Sequence, residues 1–405
     1  MSRVVLHADM DRFFCACEEK ADPRLAAMPF AVCGDPQMRH GIVMSANSIA
    51  RKYGVRAGLS FTEARLLCPE LRYVTADYPR YLKETKGVRE VFGKYGGRLI
   101  PYGMDEGWIC HEDGITLDEA QQIGKLIRIE VKYALGLSVS IGLSDNMIFS
   151  KIASDLRKPN SITVITEENY RELIWRLKAK KLLFVGAVRE KKLAFYGIKT
   201  IGDIARTEPS YLYRILRNKA AYDLWAFANG DDRNFSPECE QIKSIGNTVT
   251  TPRDMQTHEE AAAVFCMLAA AVSTRLKNNG LKARCVAICL RDSHFQSITR
   301  QTTVKTGTDS VASLYEKALS LMEQNYRWQY PLRSVGLRVS SLTSNYPQLP
   351  EQLTYRFDKG QVSLFDDDDC DIMEREIDVD AKMRWLTERF GEISVEKAGG
   401  FEEEK

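Results

Sequence analysis

No CxxC pair occurs in the 405 residues, and the ten cysteines are scattered, Cys15 and Cys17 being the nearest two. That spacing argues against both a zinc site and a disulfide framework. Free cysteines with mostly apolar neighbours read as packing residues in a reducing compartment, so a cytoplasmic location is expected. No apolar run approaches the ~20 residues that cross a bilayer. The opening stretch "MSRVVLHADMDRFF" lacks the long apolar segment of a signal peptide. No membrane partner is expected, and no long internal repeat stands out.

What is present is an ordinary globular composition, 44% hydrophobic and 28% charged, in a chain long enough for two to four domains. The net charge of +2 conceals an asymmetry. Residues 361–405 carry fifteen acidic and six basic side chains, whereas residues 243–341 carry thirteen basic and seven acidic ones. A basic body with an acidic tail suits a polyanionic partner, although charged faces are usually just solvated.

"RVVLHAD" reads as a buried strand ending at Asp9. In "ITLDEAQQIGKLIRIEVKYALG" apolar residues at 123, 127, 131 and 134 predict a helix ending near Gly136. "SVSIGLS" is a further strand, and "NMIFSKIASDLRKP" a helix stopped by Pro159. Together these suggest an α/β sheet with its polar residues at one end. From Ala16 to about Asp77 lies a smaller mixed segment, and from Glu167 to about Gly230 the pattern is mostly helical. Within the latter, "LLFVGAVREKKLAFYGIKTIGDIA" reads as a degenerate helix-hairpin-helix that would aim backbone N–H groups at a phosphate, or as a plain helical turn. Residues 231–243 read as a linker. A strand, a helix opening on a Thr257/Glu260 capping box and ending near Gly280, two strands, a helix and a strand then predict a small βαββαβ, ferredoxin-like domain. Its strands expose Arg284, Arg291, Arg300, Lys305 and Arg338.

The chemistry centres on acids. Asp9 and Asp11 follow the first strand in "HADMDRFF", and Asp105 and Glu106 sit between apolar neighbours in "YGMDEGWIC". Adjacent strand residues point to opposite faces, so Asp105 and Glu106 converge only at a bend, which Gly103 makes plausible. Oxygen ligands without His or Cys specify a hard cation, Mg²⁺ or Mn²⁺. Two such ions would activate an attacking hydroxyl and stabilise a leaving phosphate. Acidic pairs also cap helices and occupy surface turns, and that reading stays open on these residues alone. Lys158 and Arg51 are cations that could neutralise a triphosphate, or solvated basic residues.

The chain resembles a Y-family, translesion DNA polymerase of the bacterial polymerase IV class. The resemblance rests on "HADMDRFFCACEE", "GIVMSANSIARKYGVRAG", "YGMDEGWIC", "VSIGLSDNMIFSKIASDLRKPNSI", "SIGNTVTTPRDM" and "QVSLFD", in the family's order over residues 1 to about 365. It implies an α+β multidomain fold, a right-hand polymerase. The ferredoxin-like palm would span 1–11 and 77–166, small fingers 12–76, a helical thumb 167–232, the little finger 243–342 and a clamp-binding tail 343–405. It implies that Asp9, Asp105, Glu106 and the backbone carbonyl of Met10 bind two Mg²⁺ ions, with Mn²⁺ as a substitute. Phe13, Phe14, Ser48, Arg51 and Lys158 would contact the nucleotide, Phe14 as a steric gate against a 2′-hydroxyl. Asp11 is expected to be structural, capping the helix that begins near Arg12. The implied activity is low-fidelity, template-directed DNA synthesis that bypasses damaged bases, with primer-template DNA and dNTPs as substrates, by a protein expected to be a monomer.

Several positions depart from the family pattern. Ser48 stands where Tyr is common, Gly103 where Ser is frequent and Met147 where Lys is usual, the last removing a possible DNA contact. The hairpin around Gly186 is about two residues short. In the tail, Gln361, Leu364 and Phe365 form a Q-x-x-L-F peptide that resembles a sliding-clamp docking motif, short and flexible with two apolar anchors. An acidic run and a short amphipathic helix, "AKMRWLTERFG", follow it. Two rival readings are a non-catalytic DNA- and clamp-binding protein and another two-metal phosphoryl-transfer enzyme such as a cyclase. The retained acids weigh against the first, because unpaired neighbouring carboxylates repel. A cyclase needs neither the thumb, the basic domain nor the tail peptide.

Overall fold

The computed structural model describes residues 3–34, 41–112, 114–237, 242–344 and 387. The chain divides into two compact units that meet in sequence at Cys239 and Glu240. Among the described residues no helix is long and apolar enough to cross a membrane.

The first unit opens with β1 (Val4–Met10), buried along its whole length as its apolar run predicts. Helix α1 (Phe13–Ala21) follows. Next comes a mixed segment of β2 (Phe30–Cys33), β3 (Val43–Ala46), α2 (Ser48–Lys52), α3 (Phe61–Leu67) and β4 (Arg72–Thr75). Its three strands pair in the order β3-β2-β4, and small residues (Ala31, Ala46, Ala50, Ala64) let its two short helices sit close.

Helix α4 (Tyr78–Gly93) returns the chain to the main sheet, formed with β5 (Arg98–Tyr102), β6 (Glu106–His111), α5 (Leu117–Glu130), β7 (Val139–Ser144), α6 (Met147–Leu156) and β8 (Ile162–Val164). The strand order is β5-β6-β1-β7-β8, with β1 antiparallel to both neighbours. A Thr116/Glu119 capping box starts α5. Its regular part stops at Glu130, and one wider turn over Val131–Leu135 carries the chain to Gly136, at φ 67°. Helix α6 lies directly on β7. At Gly142 an added Cβ would fall 2.0 Å from the Ser150 carbonyl oxygen, so only glycine allows this approach.

The helical stretch holds α7 (Tyr170–Leu173), α8 (Ala187–Phe195), α9 (Ile201–Arg206), α10 (Pro209–Leu216) and α11 (Ala220–Ala228) around their own apolar core. Gly186 precedes α8 and Gly197, at φ 82°, follows it, so a glycine flanks the basic helix of this segment at each end.

The expected linker begins as a docked segment. Asp232 accepts two hydrogen bonds from the Arg3 guanidinium, at 3.0 and 3.1 Å, and one from the Met147 backbone N–H at 2.8 Å. The ring of Phe235 packs edge-on to Trp108 and Phe184. An acid at the first turn of α6 and an aromatic on the sheet hold this half, which polar composition alone does not reveal.

The second unit contains β9 (Ser244–Met255), α12 (His258–Asn278), β10 (Leu281–Asp292), β11 (Ser297–Thr308), α13 (Val311–Asn325) and β12 (Leu332–Ser344). This is the expected βαββαβ order, with strands arranged β11-β10-β12-β9. Thr257 caps α12, but Glu260 does not complete the box. Its buried carboxylate accepts from the Gln256 N–H at 2.6 Å and pairs with Arg253. All five basic residues named above are exposed. Arg338 pairs in register with Ala287, two positions from Cys289 and four from Arg291, so Arg291 and Arg338 share one sheet face. Arg300 pairs with core residue Ile288 and donates to Asn325 of α13, so it faces the helix side.

Candidate active site

Register builds the acidic cluster. Asp9 is the direct partner of Glu106 on β6 and of Ser140 on β7. Directly opposed residues of antiparallel strands share a face, so the Asp9 and Glu106 carboxylates stand together. His7, two residues earlier on the same face, is paired with Trp108. One ligand atom each from His7, Asp9 and Glu106 lies within 4.8 Å of the others.

Asp105 reaches the site by the bend that its neighbours imply. Gly103 takes φ 70° in the turn between β5 and β6, and the Asp105 carbonyl accepts from the Met10 N–H at 2.9 Å. Burial first, then repulsion from Asp9 and Glu106, pushes the Asp105 carboxyl up to about 6.

Helix α6 supplies the cations. Lys151, Ser154, Asp155 and the following Lys158 recur at helical spacing, and the packing on Gly142 brings this face over the acids. The Lys158 ammonium lies 2.6 Å from Asp9 Oδ1 and 3.1 Å from Asp155 Oδ1. Burial opposes its charge, but the two carboxylates outweigh that and raise its pKa. The Lys151 ammonium pairs with Glu106 Oε2 and faces the rings of Tyr102 and Trp108 at 5.3 and 6.0 Å.

His7 is fully buried, and its imidazole is held neutral by that burial and by nearby Lys151. Ser154 Oγ donates to the Lys151 carbonyl at 2.8 Å and lies 2.9 Å from Nδ1 of His7. Nε2 has no hydrogen-bond partner and lies 3.4 Å from Glu106 Oε2.

Beside the cluster opens a pocket of about 540 Å³. Its walls include Asp9, Met10, Asp11, Phe13, Phe14, Ser48, Arg51, Asp105 and Lys158, and also Met44 and Asp155. The sequence-derived residues thus gather at one place, with Glu106 behind the wall and against Asp9. Phe13 is mostly core, only 2% exposed, whereas Phe14 stands edge-on to Phe13 and to Tyr81, with ring centroids 5.5 and 5.0 Å away. Ser48 opens α2 after the Asn47 cap, and Arg51 one turn later donates to the Ala46 carbonyl.

Two expectations change. Asp11 does not cap α1, whose first turn has no side-chain cap. Its buried carboxylate instead accepts from the Ser138 and Ser140 hydroxyls and the Asn160 N–H, at 2.6, 2.8 and 2.8 Å. It is structural, tying β7 to the turn after Lys158. Met147 is a core residue, 3% exposed and packed with Trp108, so a lysine there would not fit this environment. Gln361, Leu364 and Phe365 lie outside the described residues.

His7, Lys151 and Asp155 were not singled out from sequence. Their signals were present: His7 is two positions before Asp9 on a strand, and Lys151 and Asp155 are spaced seven and three residues before Lys158.

Two family models match, impB/mucB/samB over residues 8–155 and the C-terminal domain of the same family over residues 242–354. The chain belongs to this family. A DNA polymerase IV of Acetivibrio thermocellus is 36% identical over 98% of this chain and 97% of its own length. A DNA polymerase IV of Alkaliphilus oremlandii is 32% identical over 87% of this chain and 89% of its own. A solved Y-family DNA polymerase chimera, 22% identical, superposes with a TM-score of 0.74 over 84% of this chain and all of its own. This impB/mucB/samB member is a Y-family DNA polymerase of the polymerase IV class, with the α+β, right-hand fold of such enzymes.

Y-family polymerases are metal-dependent, and the cluster suits a cation. Three carboxylates converge, two ammonium groups are drawn onto them, and a buried imidazole nitrogen beside them has no hydrogen-bond partner.

Proposed function

We propose that this polymerase adds dNTPs to a primer 3′ end at the pocket beside β1, with Asp9, Asp105, Glu106 and the Met10 carbonyl holding two Mg²⁺ ions. Mn²⁺ would substitute. The single observation that carries the reading is the cross-strand pairing of Asp9 with Glu106, with Asp105 in the adjoining turn and Arg51 and Lys158 lining the same pocket. When bound, the ions would lower the pKa of the primer hydroxyl and neutralise the triphosphate.

The chain's own groups do the positioning. Lys158 and Arg51 offer positive charge where the triphosphate would lie, and Lys158 keeps Asp155 as a partner when Asp9 turns to a cation. Phe14 places its ring under the sugar and excludes a 2′-hydroxyl by bulk. No covalent intermediate is needed, since orientation and charge neutralisation supply the catalysis. Template-directed, low-fidelity synthesis across damaged bases follows as the activity.

The domain roles follow the same reading: palm 1–11 and 77–166, fingers 12–76, thumb 167–232 and little finger 243–342. Arg291 and Arg338 on the open sheet face of the second unit would meet DNA phosphates. The peptide Gln361, Leu364 and Phe365 would dock on the sliding clamp, and the protein would act as a monomer on DNA.

Primer extension with Mg²⁺ and dNTPs tests the reading. The unmodified protein should extend, Asp105→Ala should lose extension, and Phe14→Ala should accept ribonucleotides. No extension by the unmodified protein, even with Mn²⁺ and a clamp, would refute it.

A further inference from the structure

Lys151 on α6 and Lys158 just after it have different surroundings. Lys158 is shared between Asp9 and Asp155 and lines the open pocket, so it can pass from one carboxylate to the other. Lys151 is not on the pocket wall. Its ammonium pairs with Glu106 Oε2 and lies 5.3 and 6.0 Å from the ring centroids of Tyr102 and Trp108, which meet each other edge to face. Trp108 is fully buried, and its indole N–H donates to the Met147 carbonyl one turn before Lys151. Ring and lysine are therefore fixed to the same helix. The unpartnered Nε2 of His7 lies 3.4 Å from the same Oε2, and Oε1 is the Glu106 oxygen turned away from the Lys151 pair.

We propose that Lys151 is a built-in counter-ion of the carboxylate cluster, fixed on the inner oxygen of Glu106, and that its charge weakens the cluster's hold on divalent cations in the absence of nucleotide. This rests on the reading of Asp9, Asp105 and Glu106 as metal ligands. Three carboxylates in a partly buried site would bind a divalent cation tightly by themselves, because attraction grows as the effective dielectric falls. An ammonium ion-paired among them offsets one of the three charges. Among the described residues Lys151 is ion-paired with Glu106 alone, whereas Lys158 has two carboxylate partners; Asp155 feels the Lys151 charge from farther off, and the two rings help retain the ammonium. The cluster then stays paired without metal and takes up its ions together with the negatively charged triphosphate.

The test is Mn²⁺ binding to the nucleotide-free full-length protein, read by the paramagnetic resonance of free Mn²⁺, together with melting temperature in EDTA and in Mn²⁺. Lys151→Met should tighten Mn²⁺ binding about tenfold, and Lys151→Arg, which keeps the charge, should stay within about threefold of the unmodified protein. In EDTA, Lys151→Met should melt lower than the unmodified protein, and Mn²⁺ should abolish the difference. A lysine that only packs would lower stability without tightening Mn²⁺ binding, so unchanged or weaker binding overturns the proposal. Lys151→Gln gives the same comparison should the Met variant fail to fold. If the unmodified protein binds Mn²⁺, Asp105→Asn abolishes it and the Lys151 variants do not differ, the metal site stands and the counter-ion role falls. If neither the unmodified protein nor Lys151→Met binds Mn²⁺, both fall.

Discussion

Lys158 bridges Asp9 and Asp155, 2.6 Å from one carboxylate and 3.1 Å from the other. A cation so placed can serve the triphosphate without leaving the helix face that carries it. Replacing Lys158 with Ala removes a charge-assisted contact, each typically about 1.5–3 kcal/mol. The expected result is a kcat/KM for dNTP lower by roughly 10–100-fold, seen in single-nucleotide insertion kinetics. An unchanged kcat/KM would place the triphosphate elsewhere.

Asp11 accepts three hydrogen bonds while buried, and Asn160, one donor, follows Lys158 and Pro159 directly. Asp11→Ala leaves three donors unpaired, at about 1 kcal/mol or more each. Calorimetry should show the first unit melting several degrees lower, on the order of 5–10 °C. A helix-capping role for Asp11 would instead predict rescue by Asp11→Ser, and that variant should fail to restore the melting temperature.

The raised Asp105 carboxyl makes the metal-free protein sensitive to mild acid in a definite direction. Its folded value of about 6 exceeds the ordinary 3.8, so the folded state binds the extra proton between these values. Its stabilising contribution is complete below pH 3.8 and is lost as pH rises through about 6. In EDTA, Asp105→Asn should lack this component, so the stability difference between unmodified and variant protein should change over that window and level off above it. A difference that is flat from pH 4 to 7 would show an ordinary carboxyl. Protons also compete with a cation for this group, so Mn²⁺ binding should weaken below about pH 6.

The tail peptide separates docking from chemistry. Replacing Leu364 and Phe365 together by Ala removes both apolar anchors, and clamp affinity should fall by at least about tenfold in a direct binding titration. Extension of a short primer without clamp should be unaffected. A double variant that binds the clamp as well as the unmodified chain would exclude this peptide as the contact.

The elements and the identity of the acids are legible in local sequence. The apolar start of β1 at Val4–Leu6, the periodicity of α5, the single-glycine turns and the βαββαβ order are local patterns, and each has its counterpart in the structure. Gly103 announced the bend that brings Asp105 beside Glu106, because only a turn lets neighbouring strand residues converge. Local pattern could not say which strands are neighbours. The pairing of β1 with β6 and β7 joins residues about a hundred positions apart, and it alone sets Asp9 opposite Glu106. The same is true of Asp11, read as a helix cap from its position and found tied to Ser138, Ser140 and Asn160, and of Met147, read as a lost DNA contact and found in the core. His7 and Lys151 acquire meaning only when α6 settles on Gly142, since a side chain's partners are fixed by packing across the sheet rather than by its neighbours in sequence.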